Sequence, residues 1–167
     1  MLVKTSIHSV PRPLTAGGNR RRTQHEALCA VLSDLLADTY GLYQQCLYYF
    51  WNVASDAHLG LEATFEKQCD MLEHSGRQIK ECLVEAGCLD GHPAHIPLPS
   101  FPQNRSAVTS VGEMFTNILK GHEACSRKAL AAMYQADQNH EAKIASFMLQ
   151  IMLMHDKAAW MIKSLYA

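Results

Sequence analysis

Apolar residues recur at threes and fours through four long blocks of this chain, and no segment shows sustained strand alternation. The first block carries Leu28, Val31, Leu32, Leu35, Leu36, Tyr40, Leu42, Tyr43 and Leu47, the spacing of one helical face. Thr23 followed by Glu26 fits a capping box, so a first helix is expected from Thr23 to about Val53, with Ser55-Asp56 offering the start of the next. The second block carries Leu61, Phe65, Met71, Leu72, Ile79 and Leu83 and stops at Gly87, a residue suited to the left-handed position that closes helices. Pro93, Pro97, Pro99 and Pro102 follow. They forbid a regular long helix there, though they leave room for a short helical piece before Thr109. Ser110 with Glu113 forms a second capping-box pattern, opening a third helix through Met114, Ile118, Leu119, Ala124, Leu130 and Met133. It is expected to end near Ala136, at a turn marked by Asp137-Gln138-Asn139. The fourth helix is expected from about His140 to Tyr166. Two hairpins of long helices joined by one long connector define an all-α chain, a four-helix bundle with a crossover.

The 167 residues suit one domain with a substantial core. No apolar run reaches the roughly 18 residues of a membrane span. The most apolar segment, Ile144 to Met154, is interrupted by Gln150. The N-terminus carries charge without an apolar core and small-residue cleavage site, which argues against a secretory signal. The six cysteines, Cys29, Cys46, Cys69, Cys82, Cys88 and Cys125, form no C-x-x-C pair. Scattered through helical patterns, they are expected to be buried reduced thiols in a cytosolic, reducing compartment.

Charge is distributed unevenly. Lys4, Arg12, Arg20, Arg21 and Arg22 make residues 1–22 a +5 segment without an acid, against −6 for the remainder and −1 for the whole chain. Pro11, Pro13, Gly17 and Gly18 disfavour a long helix in this segment. The chain therefore divides into a basic, flexible arm over 1–22 and a bundle over 23–167. Such an arm suits nucleic-acid contact, and it equally suits a solvated leader.

On the second helix, His58, Glu62, Glu66 and Asp70 are spaced by four and share one face. A solvated polar face explains them, and so does a set of metal ligands. An internal di-iron site of the E-x-x-H type is not expected, because the sequence contains no E-x-x-H. The methionines of the fourth helix, Met148, Met152, Met154 and Met161, are expected to fill the core. Tyr48 and Tyr49, beside Trp51, suit interface packing or the quenching of oxidising equivalents.

Several short motifs, in order along the helices, resemble those of the Dps family of small iron-storing ferritins. Leu36-Ala37-Asp38, Leu42-Tyr43 and Trp51-Asn52-Val53 match in identity and spacing. Gly91-His92-Pro93 resembles the family's G-H-P turn, His122-Glu123-Ala124 its D-H-E-A element, and His155-Asp156-Lys157-Ala158-Ala159-Trp160-Met161 its H-E-K-T-A-W-M ending. The likeness covers nearly everything after Thr23. It implies a ferritin-like fold, a hollow homo-oligomeric shell of twelve subunits, iron as bound metal, and protection against oxidative stress. With the basic arm, it makes DNA a candidate partner through Lys4, Arg12, Arg20, Arg21 and Arg22, and a nucleoid-associated place within the cytoplasm consistent with the cysteine usage.

In that family a ferroxidase site bridges two subunits. Its first histidine falls here on Phe50, its second on Glu62, its following acid on Glu66, and the neighbour's aspartate and glutamate on Arg77 and Glu81. Phe50 and Arg77 cannot ligate a cation. Three arrangements remain: a solvated polar face, a metal-free interface in which Arg77 pairs with Glu62 or Glu66, and a modified iron site built from Glu62, Glu66, Glu81 and His58. Ferroxidase activity follows only from the last. The family's acidic three-fold pores draw cations inward. Here the corresponding turn offers Asp137 and Glu141, and a commonly following aspartate is Ser146. The alternative function is a structural, DNA-binding shell without ferroxidase activity.

Overall fold

A computed structural model describes residues 16–53, 59–89 and 110–166. Four helices occupy them: α1 (Ala16–Val53), α2 (Leu59–Glu85), α3 (Val111–Gln138) and α4 (Ala142–Tyr166). The Gly91-His92-Pro93 turn, the four connector prolines, His58, Lys4 and Arg12 lie outside the described residues.

Helix α1 begins before Thr23. Arginine is a good helix former, and Arg22 reaches Glu26 one turn on, at 2.9 Å. Thr23 is therefore no cap: its hydroxyl donates to the Arg20 carbonyl at 2.8 Å, inside the helix. The Ser110 cap forms as expected. The Glu113 amide donates to Ser110 Oγ at 3.2 Å, and the Ser110 amide donates to the Glu113 carboxylate at 2.9 Å. These bonds stabilise the charged carboxylate and hold its pKa below the usual value.

Helix α2 closes at Gly87, which takes φ of 70°. The Gly87 amide donates to the Val84 carbonyl at 3.0 Å and the Cys88 amide to the Leu83 carbonyl at 2.9 Å, the paired bonds of a Schellman ending. The α3–α4 turn repeats this geometry with a side chain present. His140 takes φ of 62°, and the Glu141 amide donates to the Ala136 carbonyl at 2.9 Å.

Helix α1 packs along α2 and α3, and α4 packs along α3, while α2 and α4 touch only sparsely. Residue pairs across the interfaces fix the directions. His25 meets Ala86, Asp38 meets Lys128, and Tyr49 meets Asn117, so α1 runs antiparallel to both α2 and α3. Helices α2 and α3 are thus parallel, and the end of α2 and the start of α3 lie at opposite ends of the bundle.

Leu28, Leu32, Leu35 and Leu36 of α1 are fully buried against Leu72, Ile79 and Leu83 of α2, Ile118 of α3, and Ile144 and Met148 of α4. Each such side chain contributes about 1.5–3 kcal/mol by leaving water. At one end Tyr49 packs at a tilt against Phe65, which stacks on Phe115, with ring centroids 6.0 and 5.4 Å apart. Helices α1 and α3 approach so closely that a Cβ at Gly121 would lie 2.5 Å from Leu42 Cδ1. No helix among the described residues is long and apolar enough to cross a membrane.

Candidate functional site

The carboxylates singled out in the sequence lie along α2. Glu62 is half-buried, while Glu66, Asp70 and Glu81 are exposed. Glu81 stands about 15 residues beyond Glu66, roughly 22 Å along a helix that rises 1.5 Å per residue. One chain therefore cannot bring Glu81 to Glu62 and Glu66. Phe50 is half-buried against the core, and the neighbouring Trp51 is 69% exposed. Arg77 is exposed and holds Glu73, one turn away, at 3.4 Å. Its pairing with Glu62 or Glu66 also requires a second copy.

Tyr49 is buried, and its hydroxyl accepts from Gln45 Nε2 at 3.1 Å and from Asn117 Nδ2 at 3.0 Å. Asp137 and Glu141 flank the left-handed His140, exposed at the α3–α4 turn. Arg20, Arg21 and Arg22 are exposed on the first turns of α1.

His122 and His155 are fully buried between α3 and α4, with their Nδ1 atoms 2.9 Å apart. One Nδ1–H donates and the other Nδ1 accepts. Burial and the neighbouring imidazole push His122 down to about 3, and burial pushes His155 down to about 4, despite the opposing charge of Asp156. Both rings are neutral at neutral pH. Their mutual hydrogen bond ties α3 to α4 inside the core, and the Nε2 atom of each ring is buried without a hydrogen-bond partner.

The cysteines divide into two populations. Cys46, Cys69, Cys82 and Cys125 are free and buried, as expected. Burial pushes the Cys69 and Cys82 thiols up to about 11 and Cys125 up to about 12, so none is a thiolate near neutrality. Cys29 and Cys88 depart from the expectation: they are half-buried and joined by a disulfide, with Cα atoms 5.3 Å apart. Antiparallel packing is the reason, since it sets the start of α1 beside the end of α2. His25 completes a cluster whose three ligand atoms lie within 4.8 Å of one another. Among the described residues it is the one such group of three potential metal ligands. Its sequence signal was His25 and Cys29 one helical turn apart, with Cys88 directly after the helix-closing glycine.

Residues 29–167 match the family model for the ferritin-like domain, and the chain belongs to that family. Its fold is that of Dps proteins. It superposes on Dps from Thermosynechococcus elongatus with a TM-score of 0.72 and 18% identity, covering 89% of this chain and 95% of that one. DpsC from Streptomyces coelicolor gives 0.74 and 17% over 100% and 96%. A Dps protein from Vibrio cholerae O1, described as a member of a broad superfamily of ferritin-like diiron-carboxylate proteins, gives 0.69 and 17% over 87% and 92%. In sequence the chain is 24% identical over 147 residues to an uncharacterised low temperature-induced protein of Nostoc sp., covering 84% of this chain and 80% of that protein. A homologue in Anabaena variabilis matches to the same extent.

Proposed function

We propose that this chain is a Dps-like mini-ferritin. It assembles as a hollow shell in the cytoplasm and binds iron at a modified site between subunits. The observation that carries this is the division of the α2 carboxylates. Glu62 and Glu66 share one stretch of the helix and Glu81 lies roughly 22 Å away, so an antiparallel second α2 is what closes the set. Carboxylate oxygens are hard donors suited to iron, and iron is here cargo and substrate. Two positions of the family's ligand set, Phe50 and Arg77, carry no donor, so oxidation of Fe(II) by either oxygen or peroxide is expected to be slow. A second copy would also cover apolar side chains left to water, since Trp51, Leu153, Trp160 and Leu165 are 55–69% exposed. Asp137 and Glu141 then line the cation entrances at the subunit junctions.

Light scattering on the purified protein, followed by Fe(II) oxidation under each oxidant, tests the reading. An assembled particle that takes up iron with little catalysed oxidation supports it. Fast turnover lost on Glu62→Ala with Glu66→Ala would instead establish an active modified ferroxidase. A monomer that binds no iron overturns the proposal.

The exposed Arg20, Arg21 and Arg22 favour a second reading, a DNA-binding shell without ferroxidase activity. Many +5 arms on one particle bind by avidity, with steep salt dependence. A gel shift comparing the whole protein with Arg20→Gln/Arg21→Gln/Arg22→Gln, and with a chain beginning at Thr23, decides it. Undiminished binding by both variants removes the arm from DNA recognition.

A further inference from the structure

We propose that the mouth of the α1–α2 hairpin is a redox-gated metal site. With the Cys29–Cys88 disulfide reduced, Cys29 Sγ, Cys88 Sγ and His25 Nδ1 bind one thiophilic divalent cation of the zinc type. The site lies apart from the α2 carboxylates and does not depend on a second copy of the chain.

The three groups come from two elements that the bundle already holds in place. His25 and Cys29 are one turn apart on α1 and share a face. Cys88 is fixed by the Schellman ending, through its amide bond to the Leu83 carbonyl at 2.9 Å and the left-handed Gly87. The histidine's tautomer suits the role. Its Nε2 lies 2.8 Å from the Ala86 carbonyl, which can only accept, so that nitrogen carries the proton. The lone pair is left on Nδ1. Cys29 Sγ lies 3.7 Å from Nδ1 and 3.9 Å from Nε2, so the sulfur sits beside the ring and a turn of the imidazole brings Nδ1 to a shared ion. A ligating imidazole that donates its other N–H to a backbone carbonyl is the usual outer-shell arrangement.

The dimensions also fit. A tetrahedral zinc ion with sulfur at about 2.3 Å and nitrogen at about 2.0 Å holds its ligand atoms roughly 3.5–3.8 Å apart. The three ligand atoms already lie within 4.8 Å of one another. Side-chain rotation of the two freed cysteines and the imidazole is enough, with the helices unmoved. Two thiolates and an imidazole are a soft donor set, which selects zinc over the hard cations. Three protein ligands leave the fourth position to water.

The gate is thiol–disulfide exchange. A dithiol reductant passes two electrons and two protons to the Cys29–Cys88 bond, becoming a disulfide itself and leaving two protein thiols. Zinc binding then releases those two protons as both sulfurs ligate. The reverse exchange, with the oxidised reductant, reforms the Cys29–Cys88 bond and expels the ion, because each sulfur is then shared with the other.

The test uses the whole protein, reduced anaerobically with a phosphine that is then removed, and titrated with Co2+ as a spectroscopic probe before Zn2+. One Co2+ per chain is expected, with the thiolate-to-cobalt band and tetrahedral d–d bands, and Zn2+ is expected to displace it. The oxidised protein should give no such signal. Cys29→Ser and Cys88→Ser should each abolish it. His25→Ala, a surface change that leaves both thiols in place, should weaken binding about tenfold or more. Glu62→Gln with Glu66→Gln should leave the signal intact, which separates this site from any iron site on α2. Reduced protein without a thiolate-to-cobalt band, a band that survives loss of both cysteines, or unchanged affinity in His25→Ala would each overturn the proposal.

Discussion

The two candidate sites sit on the same hairpin and are built in opposite ways. Along α2, Glu62, Glu66 and Glu81 are strung over one helix, and no fold of a single chain can gather them. At the hairpin mouth, Cys88 stands 59 positions after Cys29 in sequence, yet it converges with His25 and Cys29 within one chain. Spacing on one helix shows which groups share a face. Antiparallel packing decides which groups meet. A site of the first kind waits on assembly, whereas a site of the second kind is complete once the hairpin closes.

The sharpest way to break this contrast is to prevent assembly. Trp51→Glu with Trp160→Glu places charge on the exposed apolar surface while leaving the buried core untouched. We expect light scattering to report a smaller particle and Fe(II) binding to be lost almost entirely. Co2+ binding by the reduced hairpin mouth should be unchanged. Loss of both together would mean that the mouth also needs a neighbour.

Acid provides a test that touches neither site. The folded-state pKa values of His122 and His155, about 3 and about 4, lie below the ordinary value near 6.5. Above pH 6.5 the rings are neutral in both folded and unfolded chains. As pH falls below that, the unfolded chain takes up protons that the buried pair refuses, so stability declines toward pH 4. Each ring contributes at most about 1.4 kcal/mol per pH unit, and denaturant titrations from pH 7 to 4 measure the slope. Replacing both with leucine removes the partners together and should flatten it.

Reduction of the disulfide sharpens the comparison from the other side. Closing a long loop in the unfolded chain typically stabilises by about 2–4 kcal/mol. Reduced protein should lose about that much in chemical denaturation, and added Zn2+ should restore part of it. Glu62→Gln should leave this difference unaltered. The smallest expected effect is local. His140 occupies a left-handed position at φ 62°, so His140→Gly should raise stability by about 0.5–1 kcal/mol, with no change at either metal site.

The helices were largely legible. Periodic leucines and the Ser110–Glu113 and Gly87 signals placed α2 and α3 well, because caps and glycine closures are local chemistry. Thr23 misled for the same reason. A threonine three residues before an acid resembles a cap, but an arginine run favours continuing the helix, and Thr23 bonds back to Arg20 instead. The α2 carboxylate face was legible because four-residue spacing is fixed by helix geometry. The hairpin mouth was not, because nothing local links Cys29 to Cys88.

By itself, then, the sequence determined four amphipathic helices, their main stops, the acid line on α2 and the absence of donors at Phe50 and Arg77. These depend on backbone periodicity and side-chain chemistry, which each segment carries alone. Only the tertiary structure decided that two half-buried cysteines differ from four inert ones, that His122 faces His155 rather than water, and that His25 sets Nε2 against the Ala86 carbonyl beside the two cysteines. Those outcomes depend on which helix ends lie side by side, a property of packing between segments that no single segment encodes.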